Sequence, residues 1–117
     1  MPKVNDVLAS TDRLETMSHT PSADVEVNDI VVVNGRVCIA YADIAADTEG
    51  SLIHQAEGVD VPKAAVAVEE GETAYYHAGN GNFTNDDTSA TKCGMWLGPA
   101  ASGDSSGEIR LDNSVTL

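Results

Sequence analysis

Three histidines, a scatter of carboxylates and two cysteines are the side chains in this sequence best suited to chemistry, and their spacing decides how much of it is usable. His19, His54 and His77 stand far apart, and none falls in the HExxH or CxxC spacing that brings ligands onto one metal ion. They read as solvated or strand-face histidines. Asp86-Asp87, with Asn80 and Asn82 upstream, offers oxygens of the kind calcium prefers, but the D-x-[DN]-x-[DN]-G register and its closing glutamate are missing. A solvated loop is the expectation there. No G-x-S-x-G elbow places a serine nucleophile, and no glycine-rich loop lies between a strand and a helix to cradle phosphate. Cys38 and Cys93 each sit in an apolar run, Val37-Cys38-Ile39 and Cys93-Gly94-Met95-Trp96, where a thiol behaves as a small hydrophobe. One lone pair of cysteines is not a disulfide framework. The reading is therefore of a protein that is not an enzyme, with no catalytic residue, no metal and no cofactor assigned.

The elements that carry these residues read as short strands. Ile30-Val31-Val32-Val33 runs into Asn34-Gly35, and that dipeptide supplies the positive φ angles of a two-residue type I′ turn. Arg36 to Tyr41 then has the β-branched content of a return strand, so the pair is a β-hairpin. Residues 51–61 read as a strand with a bulge at Gly58 and a stop at Pro62, which removes a ladder donor. Further strands are expected over residues 73–77, at Phe83-Thr84, over residues 93–97, and over residues 108–111, where side chains alternate with period two. Tyr75 and Tyr76 occupy opposite faces of their strand, so at least one ring packs inward. Residues 42–47 are alanine-rich but bounded by Thr48-Glu49-Gly50, which allows at most a short helical turn or a loop. Residues 1–20 hold Val4, Val7, Leu8, Leu14 and Met17 without sustained periodicity and read as an arm, within which Val4, Val7 and Leu8 suit one helical turn. The fold class expected is mainly β: a small β-barrel or sandwich with short helical elements and an extended N-terminal arm, residues 1–20, ahead of a β-rich domain, residues 21–117.

Composition narrows the partners. Nineteen acidic residues against six basic ones give a formal charge of −13, which repels a phosphate backbone, so nucleic acid is not an expected partner. No stretch approaches the roughly 18 consecutive apolar residues of a membrane helix, and the first residues lack the apolar core of a signal peptide. A soluble protein made in the cytoplasm and kept off membranes is expected. With one Trp, one Phe and three Tyr among 117 residues, the core is light, and light cores gain from self-association.

The order of several pieces carries a resemblance. Thr20-Pro21-Ser22-Ala23, Val27-Asn28-Asp29-Ile30 with the hairpin to Val37, Ala42-Asp43-Ile44-Ala45-Ala46 and Glu49-Gly50 resemble the bacteriophage capsid cement, or head decoration, proteins. The likeness continues through Glu57-Gly58-Val59-Asp60-Val61-Pro62-Lys63-Ala64, residues 71–76 and 94–97, and Ala100-Ala101-Ser102-Gly103-Asp104 leading to Ile109-Arg110-Leu111-Asp112-Asn113. It covers roughly residues 16–113 and departs at His54 and Gln55, where smaller or apolar residues are expected. The resemblance implies a structural virion protein that binds the major capsid protein on the exterior of the expanded head. It also implies a homotrimer at threefold or quasi-threefold positions that reinforces the head against internal DNA pressure. On that reading the arm grips the capsid through Val4, Val7, Leu8, Leu14 and Met17, and its removal leaves folding intact. The alternative is a non-enzymatic β-sandwich binding module on the virion that attaches to a host surface or glycan. The scarcity of aromatic residues speaks against it.

Overall fold

The computed structural model describes residues 2–7 and 14–112. Nine antiparallel strands lie among them: β1 (Asp6–Val7), β2 (Glu15–His19), β3 (Ile30–Val33), β4 (Arg36–Ala40), β5 (Gly50–Pro62), β6 (Thr73–His77), β7 (Asn82–Thr84), β8 (Thr91–Trp96) and β9 (Ser106–Asp112). The sheet runs β3-β4-β5-β9-β8-β6-β7, and β1 and β2 add to the other side of β5. The hairpin forms as its turn chemistry dictates, with Asn34 at φ 51° and Gly35 at φ 82° closing Val33 onto Arg36.

β5 is the hub. Its first half pairs with β2 on one side and β4 on the other, and its second half with β1 and β9. A register shift against β9 between Ala56 and Val59 spans Gly58, the bulge expected from sequence, and lets the strand bend between the two wings. Beyond the bend the sheet curls through β9, β8, β6 and β7 until β7 returns to the end of β5, where the Ala64 N–H donates to the Phe83 carbonyl at 2.8 Å. The buried Lys63 ammonium braces the segment that follows β5 by donating to the Ala64 and Val66 carbonyls.

Inside the curl lies the main core. Trp96, Phe83 and Tyr76, three of the five large aromatic residues, meet there with Val59, Val61, Ile109 and Leu111. The Tyr76 and Phe83 rings stand 5.0 Å apart, and the Trp96 Nε1–H donates to the Thr84 carbonyl at 3.3 Å. A second, smaller cluster of Val25, Cys38, Ala40, Ile44 and Leu52 lies beneath two loops, residues 20–29 and 41–49. Residues alternate faces along a strand, so Val37 and Ile39 join the first cluster while Cys38 and Ala40 join the second.

Two expectations give way to the structure. No helix occurs among the described residues: residues 42–47 are held extended at Ile44, which exchanges two 2.8 Å backbone bonds with Val25, and Asp47 at φ 62° lies in the non-helical turn that the Thr48 N–H closes onto the Ala45 carbonyl. A segment so short does not nucleate a helix against a competing strand contact. Nor are the described residues of 1–20 a free arm. β1 and β2 pair along β5, Val4 is buried in the main core, and Val4 N–H donates to the Asn28 carbonyl at 3.0 Å. The physical reason is the open side of β5, whose backbone groups and apolar side chains need a cover, and these residues supply it.

Candidate functional site

The histidines do not converge. His19 lies on β2, His54 on β5 and His77 on β6, each half-buried. No group of three or more His, Cys, Asp or Glu side chains among the described residues is placed to hold a metal ion. Cys38 and Cys93 are both buried free thiols, one in each cluster. Burial pushes the Cys38 thiol up to about 11 and the Cys93 thiol up further, which keeps both protonated and poorly nucleophilic near neutral pH.

His77, Asn80, Asn82, Thr84, Asp86 and Thr88 line one cleft of about 250 Å³ because β7 and the loop after it present alternate residues to the same side. Its polar groups serve the loop. His77 Nδ1 accepts from the Asn80 N–H at 3.1 Å, and Asp86 Oδ1 accepts from the Thr88 N–H at 3.0 Å and its hydroxyl at 2.9 Å. The Thr88 N–H, then its hydroxyl, hold the Asp86 carboxyl below its ordinary value. Asp86 and Asp87 are exposed, as the sequence suggests.

A larger depression of about 490 Å³ lies where residues 24–29 meet residues 43–45, and its walls include Asp24, Glu26, Asp29 and Asp43. Two of these acids, Asp24 and Asp43, latch one loop to another. Asp24 Oδ1 accepts from the Ala46 N–H and Asp43 Oδ1 from the Val27 N–H, both at 2.8 Å. Buried Asp29 accepts from the Glu26 N–H at 2.8 Å and from Lys3 Nζ at 2.5 Å, so it ties the first strand to the start of β3. Asn28, at φ 71°, makes the bend that points Asp29 inward. In the sequence this latch is marked only by an Asn-Asp pair just before an apolar run, which does not by itself point to Lys3.

A pH dependence follows. Burial pushes the Asp29 carboxyl up, but the Lys3 and Glu26 hydrogen bonds outweigh it and hold the group below its ordinary value of 3.8. A carboxyl lowered in the folded state contributes stability that is present above about pH 4 and is lost as pH falls through the folded value. Asp29→Ala is expected to lower stability at pH 7 by about 2 kcal/mol, the scale of a lost charge-assisted bond with a stranded N–H. Its deficit relative to wild type should shrink between pH 4 and pH 2, read from urea midpoints. A deficit constant down to pH 2 would remove the latch.

Of the five residues read as capsid contacts, Val4 is 3% exposed and inside the core. Val7 and Leu14 pack partly against the main core and Met17 against the second, with part of each side chain accessible. Leu8 lies outside the described residues. The structure spreads the other four along the outer side of β5 rather than gathering them.

The fold is a curled antiparallel sheet around two buried clusters, with both thiols enclosed and several acids engaged in holding loops together. Residues 10–111 match the family model of phage cement proteins, and the chain belongs to that family. It is a structural protein of the phage capsid. No curated protein matches it.

Proposed function

We propose that this chain binds the outside of the expanded phage head as a trimer at threefold or quasi-threefold positions, contacts the major capsid protein, and stabilises the head against the pressure of packaged DNA. The family match over residues 10–111 carries this reading. Charge supports the outer location, because a protein of net charge −13 is repelled by packaged DNA and is better placed facing solvent. Trimeric attachment raises the effective concentration of each contact for the others, so contacts weak alone give slow release together.

Val7, Leu8, Leu14 and Met17 remain proposed capsid contacts; Val7 and Met17 lie on strands, and Leu14 sits just ahead of β2. Val4 leaves that set because its side chain is committed to the core. The glycan-binding alternative loses ground, since three of the five aromatic residues, Trp96, Phe83 and Tyr76, are enclosed, which leaves Tyr41 exposed and Tyr75 half-buried for stacking on a sugar. Titrating the purified protein onto undecorated expanded heads and measuring bound copies by densitometry tests the proposal. Saturation at three copies per threefold site supports it, and binding without saturation, or none, contradicts it.

A further inference from the structure

β3 ends its wing of the sheet, and the tight turn fixes the phase of its hydrogen bonds. Val33 pairs with Arg36 across the two-residue loop, so Val33 and Val31 turn their N–H and C=O groups toward β4. Ile30 and Val32 turn theirs away. The outward Ile30 N–H is taken by the Pro2 carbonyl at 2.9 Å, and there the covering strand reaches the limit of the described residues. Among the described residues nothing takes the outward N–H and C=O of Val32, whose side chain is 45% exposed.

The outer face beside this edge is shaped. A cleft of about 340 Å³ has Pro21, Ala23, Val25 and Val31 as its apolar wall. Val25 is also a wall of the acidic depression that holds Asp24, Glu26 and Asp43. A strand added along β3 would project the residue opposite Val31 on the same face as Val31, toward the apolar cleft, with the carboxylates close by.

We propose that the β3 edge at Val32 is a strand-addition site for an extended segment of a capsid subunit that carries an apolar residue flanked by lysine or arginine. This rests on the capsid-binding reading above and names the contact. Charge selects the occupant: Lys3 already answers Glu26 and Asp29, but Asp24 and Asp43 have no cation within ion-pair distance among the described residues, and with the chain's net charge of −13 they favour a basic segment. A second copy would bring the same carboxylates against their own kind, and like charges set opposite one another destabilise a strand pair.

Val32→Pro tests it selectively, because the N–H it removes faces away from β4 and proline is tolerated at such edge positions. Urea unfolding and binding to undecorated expanded heads are measured together. The expected result is an unchanged midpoint with at least a tenfold loss of affinity, while Val32→Thr binds as wild type does. In the wild-type protein, amide exchange of Val32 should slow at least tenfold on heads, a reading independent of how the variant folds. Undiminished head binding by a folded Val32→Pro protein, or unchanged exchange on heads, overturns the proposal while leaving capsid binding intact. Protection that arises from self-association without heads also overturns it, in favour of a second copy. Wild-type protein that does not bind heads overturns this proposal and the parent reading together.

Discussion

Gly94→Val is expected to leave the protein largely unfolded. A Cβ at position 94 would stand 1.8 Å from the Arg110 carbonyl oxygen and 2.9 Å from its carbon, both backbone atoms of β9. Gly94 is paired on both sides, with Leu111 of β9 and Ala74 of β6, so neither neighbour can yield without opening the ladder. Strand separation there would uncover Trp96, Ile109 and Leu111, all fully buried. Overpacking against backbone and exposing that cluster is expected to cost about 4 kcal/mol or more, a large part of the roughly 5–15 kcal/mol that holds a domain folded. The check is Trp96 emission, which should be shifted to the red before any denaturant is added. Gly98→Ala is the control: no atom lies within 4 Å of its added Cβ, and its urea midpoint should match wild type. A Gly94→Val protein with native emission and an unchanged midpoint would refute this packing.

Removing residues 2–20 should destabilise the domain rather than free it of an arm. The deletion strips β1 and β2 from β5, takes Val4 out of the core and breaks the Lys3–Asp29 pair. Burial of a valine side chain alone contributes about 1.5–3 kcal/mol, and the exposed side of β5 would become a new unpaired edge. A loss of at least about 3 kcal/mol in urea unfolding is expected, with aggregation on concentration. Val4→Ala, which removes the core contact but leaves the strands, should lose about 2 kcal/mol. A truncated protein as stable as the full chain would restore the arm.

The contrast between those two regions explains what the sequence made legible. The hairpin was readable because Asn34-Gly35 encodes its own geometry, and β5 because a stretch from Leu52 to Val61 with Gly58 inside it stops at Pro62. β6 and β9 followed from alternation bounded by turn residues. β2 hid itself. Its half-buried residues are Met17 and His19, with Leu14 just ahead of the strand, and the register shift between Glu15 and Thr16 breaks the period of two that would have identified it. The cover it gives β5 is also non-local, and no pattern within residues 1–20 reports it. The second core was invisible for a related reason: Val25 and Ile44 lie in loops and meet through one isolated bridge. As for the surface site, the valine run of β3 was plain, but which of its amides face outward became clear only from the pairing register.

The central claim, that this chain reinforces a phage head, is tested most directly by heating expanded heads with and without saturating protein and recording the temperature at which DNA becomes accessible to an intercalating dye. Bound protein is expected to raise this temperature, and the Val32→Pro protein to need at least ten times the concentration for the same rise. Heads that bind the wild-type protein at saturation yet release DNA at the same temperature as bare heads would contradict it.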